Sequence, residues 1–384
     1  MSLNKIRIPI IFHGENSLRE LKKIEENRVL IITDKNIRHL FGELISKYFK
    51  KKELAFFDDV TPNPKDSMIN NNKDFVIGFQ PEVIIGFGGG SVMDTAKMLY
   101  FLYESKKDSI YECNPITSYN LGKKSRLILI PTTSGTGAEH TPASIITNSE
   151  TGQKVALASN ELIPESVILD PKLCLKMSEE LTIVTCLDAF VHAIEGMTSK
   201  FRSDFSDAAN LHAIKLIIKY LPNIIENNYD DIKIREKLHN AASIAGIGMA
   251  NSSCGLAHSF GHALGAVYDI KHGLAVGIML PYIIEYNRVE CEANYIEILQ
   301  SINILDTKNP ASILAEFIRS FLKRIKISFS LNYLVNEEMW NKNIDNLFSY
   351  AKKDILTPFN PRKVNENEFR KIFDYAYIGK SIDF

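Results

Sequence analysis

Residues 84–91 read IIGFGGGS and residues 92–97 continue as VMDTAK, so a short apolar run leads through three consecutive glycines into a helix-forming segment. The β-branched run is typical of a buried strand, and the glycines permit a tight turn into the helix. Such a turn, with the free N–H groups of the helix's first turn, suits a pyrophosphate. The junction therefore predicts a phosphate-binding turn, with Ser91 and Asp94 as a capping box. A tight turn without a ligand is the alternative, because the G-x-G-x-x-S spacing at 86–91 only approaches the usual dinucleotide fingerprint.

Similar apolar runs occur on both sides of this junction. Residues 28–33 (RVLIIT), 82–87 (EVIIGF) and 126–130 (RLILI) have the length and composition of buried parallel strands. Apolar residues at helical spacing over 36–50 separate the first two runs. Strand and helix therefore alternate through the first part of the chain, which predicts an α/β domain with a parallel, Rossmann-like sheet.

The pattern changes after Asp170-Pro171. From residue 178 onward, apolar residues recur every three or four positions, as expected of helices that pack on a common core. The predicted helices cover 181–195, 207–221, 232–250, 256–266, 311–325 and 366–377. The sequence thus predicts an α/β domain over residues 1–180 and an all-α domain over residues 181–384, with a boundary near 178–182.

Charge and cysteine content narrow the class of protein. The 384 residues carry 45 Lys and Arg against 46 Asp and Glu, so no global basic field would hold nucleic acid or an anionic membrane. The five cysteines are scattered and never spaced C-x-x-C, which argues against a disulfide framework and favours a reducing compartment. The N-terminal segment lacks a signal-peptide core, and no apolar run approaches the roughly 20 residues of a membrane span. We therefore expect a cytoplasmic protein with neither a nucleic-acid nor a membrane partner.

Histidines and an aspartate are concentrated in two apolar helical segments. Asp188 and His192 are four residues apart in one segment, and His258 and His262 are four apart in the other, so each pair shares a helix face. His272 follows shortly afterwards. One carboxylate and three imidazoles form the donor set of a first-row metal site that leaves room for a substrate oxygen. Spacing alone does not decide between His258 and His262 as ligands, and a satisfied core position is the alternative for any single histidine.

A loop with the sequence PTTSGTGAE at 131–139 follows the strand predicted at 126–130. Its clustered hydroxyls and glycines are suited to contact phosphate or ribose, and an ordinary polar loop is the alternative.

Taken together, these motifs resemble the iron-containing (group III) alcohol dehydrogenases, which have the dehydroquinate synthase-like fold. The resemblance rests on GGGSVMDTAK at 88–97, PTTSGTGAE at 131–139, DAFVHAIE at 188–195 and the histidines at 258, 262 and 272, in this order. It extends over nearly the whole chain. It implies an oxidoreductase whose α/β domain binds a nicotinamide dinucleotide and whose helical domain binds a metal ion.

The resemblance also implies roles for individual residues. The residues that match the family's metal ligands are Asp188, His192, His258 and His272. His262 then matches the histidine near the nicotinamide and is the candidate proton relay. The positions that match cofactor contacts are Gly89, Gly90, Ser91 and Asp94 around the pyrophosphate and nicotinamide, and Thr132, Thr133, Thr136 and Lys154 on the other side.

Asp34 matches the acidic residue that faces the adenosine ribose in this family. A carboxylate there accepts hydrogen bonds from ribose hydroxyls and repels a 2′-phosphate, so NAD(H) is favoured over NADP(H). The neighbouring Lys35 is the feature that would instead favour a phosphate. The family name implies Fe²⁺ as the metal, while the same ligands are compatible with Zn²⁺.

The expected activity is that of a metal-dependent, NAD(P)-linked alcohol dehydrogenase, which interconverts a small alcohol and its aldehyde or ketone by hydride transfer. A polyol or hydroxy-acid dehydrogenase, or a dehydroquinate-synthase-like lyase of the same fold, is the first alternative. The lyase would need a cluster of Lys and Arg for a phosphorylated acidic substrate, and residues 241–266 contain neither. A catalytically silent metal- or nucleotide-binding protein is the second alternative.

Substrate and oligomeric state are less constrained by the sequence. Met249, Asn251, Cys254 and Phe260 lie close to the metal histidines in sequence and are candidate pocket residues, with core packing as the alternative for each. An exposed strand within the first 15 residues would allow pairing with a second copy, so a homodimer is a hypothesis.

Overall fold

The computed structural model of the chain describes residues 6–226 and 230–384. They form two compact units, unit 1 up to Lys176 and unit 2 from Met177 onward. The predicted boundary, between residues 180 and 181, falls slightly later, and residues 1–5 of the predicted first domain lie outside the described residues. The difference has a local cause, because Ser178 caps the first helix of the second unit and accepts a hydrogen bond from the Leu181 N–H.

Unit 1 is built around a six-stranded sheet in which every neighbouring pair is parallel, in the order β1-β8-β5-β4-β2-β3. Two further strands, β6 and β7, form an antiparallel hairpin. The strands are β1 (Ile10–His13), β2 (Arg28–Ile32), β3 (Glu53–Phe57), β4 (Val83–Gly88), β5 (Arg126–Pro131), β6 (Ala143–Thr147), β7 (Lys154–Ala158) and β8 (Ser166–Leu169). The predicted parallel, Rossmann-like sheet is confirmed.

Both faces of this sheet are buried, which explains why its strands appear in the sequence as continuous apolar runs. Along β4, Val83, Ile85 and Phe87 enter one hydrophobic core, and Ile84 enters another on the opposite face. The helices of unit 1 are α1 (Lys35–Ser46), α2 (Asp66–Asn71), α3 (Lys73–Phe79) and α4 (Gly90–Ser105).

Unit 2 is helical, and no strand occurs within residues 177–226 or 230–384. The helices are α5 (Glu179–Thr198), α6 (Asp204–Glu226), α7 (Ile232–Ala250), α8 (Leu256–Tyr268), α9 (His272–Tyr286), α10 (Glu292–Ser301), α11 (Pro310–Arg324), α12 (Glu337–Lys353) and α13 (Glu366–Ile378). The predicted all-α region is confirmed. The prediction did not include α9, α10 and α12, and several predicted helices are longer than expected. The helix α6, predicted to end at residue 221, continues through Pro222, because the buried Ile224 and Ile225 keep its last turn packed on the core.

Among the described residues, α5 is the one helix that is long and apolar enough to span a membrane by length and composition alone. The sequence analysis predicted no such run. Asp188, His192 and Glu195 interrupt the apolar sequence of α5 but do not end the helix. In the structure, 89% of its apolar window is buried, and the helix packs against α6, α7 and α9. Burial of this extent is typical of a core helix.

Candidate active site

Three helices of unit 2 bring the four predicted metal ligands together. Asp188 and His192 lie one turn apart on α5, His258 lies in the first turn of α8, and His272 is the first residue of α9. Asp188 Oδ1 lies 3.2 Å from His272 Nε2, 3.6 Å from His258 Nε2 and 3.7 Å from His192 Nε2. A single carboxylate oxygen is therefore surrounded by three imidazole nitrogens.

The position of His272 depends on the glycine that follows it. A β-carbon at Gly273 would overlap the carbonyl oxygen of Val184 in α5 and would lie 3.2 Å from Asp188 Cβ. Because a backbone oxygen in a buried helix cannot move aside, only glycine allows α9 to begin this close to α5. This close approach brings the His272 ring next to Asp188.

The four-residue cluster has the properties of a site built for a cation. Asp188 Oδ1 and His258 Nε2 are shielded from solvent, and neither has a hydrogen-bond partner of good geometry among the described residues. Buried polar atoms are normally paired, so these two atoms are suited to bind an ion. Carboxylate oxygen and imidazole nitrogen are ligands of Fe²⁺ and Zn²⁺, and the residues therefore fit a divalent transition metal.

The ionisation of the cluster also favours a cation. Burial raises the pKa of Asp188, but the neighbouring histidines outweigh this effect and hold that pKa well below its usual range. Burial lowers the pKa of His192 to about 4, so its imidazole is neutral near pH 7 and able to bind a metal. For His258, burial lowers the pKa, but contacts with Cys254, Asp188 and Glu195 together raise it well above its usual value. A metal ion would replace the proton that these groups attract.

Glu195 is a site residue to which the sequence analysis assigned no role. Its carboxylate accepts hydrogen bonds from the Gly255 and Ala257 N–H groups at 2.9 and 2.6 Å, at the start of α8. The same carboxylate contacts His258 Nδ1 at 2.6 Å. This contact leaves Nε2 of His258 as the ligand nitrogen, in the arrangement by which outer carboxylates commonly orient metal-binding histidines.

His262, the predicted proton relay, is paired with a second residue that the sequence analysis did not identify. Its Nδ1 lies 2.7 Å from Asp354 Oδ2, and the other oxygen of Asp354 accepts hydrogen bonds from Ser259 Oγ and the Leu356 N–H. Burial raises the pKa of Asp354, but the hydrogen bond and charge of His262 outweigh it and lower that pKa overall. The partly exposed ring of His262 also stacks against His272, with centroids 5.1 Å apart. The pair leaves Nε2 of His262 as the nitrogen that is able to exchange a proton.

In unit 1, the predicted cofactor residues lie mainly at the carboxyl ends of three adjacent strands, β2, β4 and β5. Asp34 follows β2, the glycine turn follows β4, and Thr132 follows β5. Ligands of open parallel sheets bind at this edge. Lys154 is the exception, because it begins β7 in the separate hairpin.

The glycine turn differs from the prediction in one respect. Gly89 is the N-cap of α4 and makes no side-chain capping bond, so the predicted capping box of Ser91 and Asp94 is wrong. The helix begins at Gly90, which places Ser91 inside its first turn. A β-carbon at Gly90 would lie 2.9 Å from the Thr136 methyl carbon, so the turn and the loop after β5 are in close contact.

This turn and loop fit a dinucleotide phosphate. The first N–H groups of the 16-residue helix α4 are directed towards the turn. Thr132 Oγ1 is buried and has no hydrogen-bond partner among the described residues. A buried hydroxyl of this kind is a donor available to a bound cofactor.

A buried lysine fixes the loop after β5. Lys97 Nζ donates to the carbonyl oxygens of Ala138, Thr141 and Ala143 at 2.6, 2.8 and 2.8 Å. Burial lowers the pKa of Lys97 to about 8, which still leaves it protonated near pH 7. Burial also raises the pKa of Asp94 to about 6, against the charges of Lys97 and Lys154. The predicted residues Asp94 and Lys154 are thus electrostatically coupled.

Asp34 has a structural role in addition to the predicted one. Its Oδ1 caps α1 by accepting hydrogen bonds from the Asn36 and Ile37 N–H groups at 2.9 and 3.0 Å, and Oδ2 takes no part in this cap. Lys35 forms an ion pair with Asp59 at 3.0 Å. Lys35 is therefore paired with the carboxylate of Asp59 and follows that of Asp34 directly in the sequence.

Two of the four candidate pocket residues, Phe260 and Cys254, have different surroundings. Phe260 is completely buried and packs on Phe369 and Phe373, with ring centroids 5.5 and 4.4 Å apart, so it is a core residue. Cys254 instead lies beside His192 and His258.

Comparison with known proteins agrees with this geometry. Residues 9–171 match the iron-containing alcohol dehydrogenase family, and residues 182–377 match the C-terminal domain of the same family. The NADPH-dependent butanol dehydrogenase of Clostridium saccharobutylicum is 31% identical over 97% of this chain and 98% of its own length. The chain spans only 46% of the aldehyde-alcohol dehydrogenase 2 of Entamoeba histolytica, with 30% identity.

Solved structures show the same relationship. The iron-containing alcohol dehydrogenase of Thermococcus thioreducens superposes with a TM-score of 0.87 and 30% identity, over 99% of this chain and all of that one. A 1,3-propanediol oxidoreductase superposes with a TM-score of 0.90 and 28% identity, over 98% of this chain and all of the other.

The fold and the cluster of one aspartate and three histidines are those of a metal-dependent oxidoreductase. The chain belongs to the iron-containing alcohol dehydrogenase family, as the sequence motifs indicated. It is an oxidoreductase that interconverts alcohols and aldehydes with a metal ion and a nicotinamide dinucleotide.

Proposed function

We propose that this chain is an NAD(H)-dependent alcohol dehydrogenase that reduces short aldehydes and oxidises the corresponding primary alcohols. The observation that carries the proposal is the cluster around Asp188 Oδ1, a buried atom without a hydrogen-bond partner of good geometry among the described residues, with three imidazole nitrogens at 3.2 to 3.7 Å from it. The proposed metal ligands are Asp188, His192, His258 and His272. Fe²⁺ is the metal that the family's name implies, and the donor set also accepts Zn²⁺.

When bound, the metal supplies Lewis-acid activation of the substrate oxygen, and the nicotinamide donates or accepts the hydride. The protein's own contribution is to hold both groups and to move a proton. Asp354 holds the His262 ring by its Nδ1, so Nε2 gives a proton to the product alcohol or takes one in the reverse direction. His262 is therefore the proposed catalytic acid and base.

In unit 1, the proposed pyrophosphate contacts are the backbone at Gly89, Gly90 and Ser91, where α4 begins. The other proposed cofactor contacts are Asp94, Thr132, Thr133, Thr136 and Lys154. Lys97 is a positioning residue in this arrangement, because it ties the loop that carries the threonines to α4.

The preference for NAD(H) rests on charge around Asp34. Asp34 Oδ2 takes no part in the helix cap and so is available to a ribose hydroxyl, and Asp59 neutralises Lys35. Two carboxylates beside one lysine would repel a 2′-phosphate. The butanol dehydrogenase of Clostridium saccharobutylicum is described as NADPH-dependent, so this preference would distinguish the two proteins.

Short primary aldehydes and alcohols are the proposed substrates. Butanol dehydrogenase, 1-propanol dehydrogenase and 1,3-propanediol oxidoreductase are among the similar proteins.

We also propose that the protein is cytoplasmic and forms a homodimer. All five cysteines are buried and none of them forms a disulfide bond, as in proteins of reducing compartments. Strand β1 is at the edge of the sheet, and Ile8 and Ile10 are 51% and 58% exposed there. An open apolar edge favours pairing with a second copy, and light scattering of wild type and Ile10→Lys would show whether the dimer exists and uses this edge.

The activity is tested by reconstituting metal-free enzyme anaerobically and following NADH oxidation with propanal and butanal. Activity should appear with stoichiometric Fe²⁺ or Zn²⁺ and be lost in His272→Ala, while His212→Ala, which removes an exposed histidine of α6, should keep it. Metal binding without turnover of any aldehyde or alcohol, with either cofactor, would refute the proposed substrates.

A further inference from the structure

Cys254 lies two residues before α8 and is 6% exposed. Its sulfur, one ring nitrogen of His192 and one ring nitrogen of His258 all lie within 4.8 Å of one another. Asp188, His258 and His272 form a second group that meets the same distance limit. The two groups share His258, so the thiol borders the metal cluster directly.

A second observation indicates that a ligand binds beside this thiol. His258 Nε2 is buried without a hydrogen-bond partner of good geometry among the described residues, and the same is true of Asp188 Oδ1. Glu195 occupies Nδ1 of His258 at 2.6 Å, so Nε2 is the nitrogen available to a cation. His258 and Asp188 are only 2% and 4% exposed. The buried thiol therefore lies beside His258, whose Nε2 lacks such a partner, and His258 in turn lies beside Asp188 Oδ1, which lacks one as well.

Thiolate changes the chemistry of such a site. A centre of one carboxylate and three imidazoles accepts Fe²⁺ and Zn²⁺ alike, whereas a soft sulfur donor favours Zn²⁺. A buried thiol beside a bound cation readily becomes a ligand, because the cation stabilises the thiolate.

We propose that Cys254 is an additional metal ligand in this chain, which supplies a thiolate sulfur next to His192 and His258 and increases the selectivity of the centre for zinc. On binding, a sulfur–metal bond forms and the S–H bond breaks, the proton passes to solvent, and no electron is transferred. The inference rests on the proposed function only in requiring that a divalent metal binds at this cluster.

The test is metal spectroscopy on the full-length protein. Metal-free wild type loaded with Co²⁺ should show a near-ultraviolet thiolate-to-cobalt charge-transfer band. The band should be absent in Cys254→Ser and Cys254→Ala but present in Cys291→Ser, a matched control that removes another buried cysteine of unit 2, outside both donor groups. X-ray absorption of the zinc-loaded protein should show one sulfur at about 2.3 Å.

Affinity provides a second readout. Removal of the thiol should weaken Zn²⁺ binding, measured by chelator competition, by roughly tenfold or more, since even outer-shell partners have effects of this size. Fe²⁺ binding should change less than Zn²⁺ binding, because sulfur is not its preferred donor here.

A cobalt spectrum without the band, unchanged in Cys254→Ala, together with zinc absorption that shows only nitrogen and oxygen, would overturn the inference. If the metal centre has no sulfur ligand but wild type reduces aldehydes and His272→Ala does not, the proposed function stands without this inference. If wild type binds Fe²⁺ but neither cobalt nor zinc, this inference fails and the proposed function stands; if it binds none of the three metals, both proposals fail. If Cys254→Ala does not fold, the near-isosteric serine variant and the unmodified zinc protein still decide the outcome.

Discussion

Glu195→Gln replaces one carboxylate oxygen of the side chain that orients His258. In the wild type, Oε2 contacts His258 Nδ1 and accepts from the Gly255 N–H, while Oε1 accepts from the Ala257 N–H. Glutamine has a single acceptor oxygen, so it cannot satisfy all three donors. If the amide oxygen keeps the first two contacts, the NH₂ group faces the Ala257 N–H. If it keeps Ala257, the NH₂ group faces His258 and drives the ring proton to Nε2, the ligand atom.

The expected losses of stability and of metal affinity follow from these two arrangements of the glutamine amide. In the first, one buried N–H loses its partner, which costs about 1–3 kcal/mol of unfolding free energy. The carboxylate that makes His258 a stronger ligand is also lost, and removal of such outer partners weakens metal binding by roughly 10- to 100-fold. In the second outcome, the ligand nitrogen must be deprotonated before it binds, so the loss of metal affinity is at least as large.

Two assays measure these effects separately. Chelator competition with Zn²⁺ or Co²⁺ gives the metal affinity, and urea denaturation of the metal-free protein gives the unfolding free energy. Glu297→Gln, which alters an exposed ion pair with Arg202, is the control and should change neither by more than about 0.5 kcal/mol. Equal metal affinity in wild type and Glu195→Gln would refute the argument that Glu195 orients His258.

Three further substitutions test other parts of the structure. Asp34→Gly should lower the ratio of NADH to NADPH specificity, measured as kcat/KM, because it removes the carboxylate proposed to bind the ribose hydroxyls; an unchanged ratio would contradict the role of charge there. Gly273→Ala should abolish metal binding or destabilise the protein by about 1–3 kcal/mol, since its methyl group overlaps a backbone oxygen of α5. The control Gly78→Ala, whose methyl group meets no atom within 4 Å, should be neutral or slightly stabilising in thermal unfolding. Arg319→Met breaks a buried two-bond ion pair with a glutamate and should cost about 3–5 kcal/mol, while Arg324→Met, at an exposed pair, should cost less than about 1 kcal/mol by urea titration; equal costs would show that burial does not matter here.

The type of each major element could be predicted from the sequence, because apolar periodicity reflects burial directly. The strands at 28–33 and 126–130 were predicted to within one residue of β2 and β5. Element ends were less predictable, since they depend on single contacts. The turn into α4 is an example: Ser91 has the residue type of a cap, but Gly89 occupies the cap position because the strand passes directly into the helix. The sequence shows a residue type that favours a cap, but it does not show at which residue the backbone turns into the helix.

The metal cluster shows the same limit at a larger scale. Asp188 and His192 could be recognised as a pair because helical spacing alone places them on one face. Asp354 could not be linked to His262, from which it is separated by 92 residues. Their contact exists because α12 packs against α8 and ends at Asp354, its C-cap residue. No local pattern encodes such a pairing, which requires the tertiary structure.

Glu195 lies between these two cases, and it shows which signal deserves more weight. It is three residues after His192 and seven after Asp188, so it lies on the same face of a helix that is otherwise mainly apolar. An ionised carboxylate in such a helix is very costly to bury unless partners satisfy it. Two buried carboxylates on one helix face therefore need two kinds of partner, a cation for one and hydrogen-bond donors for the other. The structure assigns them in that way, because the backbone N–H groups at the start of α8 bind Glu195, while Asp188 Oδ1 lies among three imidazoles and has no hydrogen-bond partner of good geometry within residues 6–226 and 230–384.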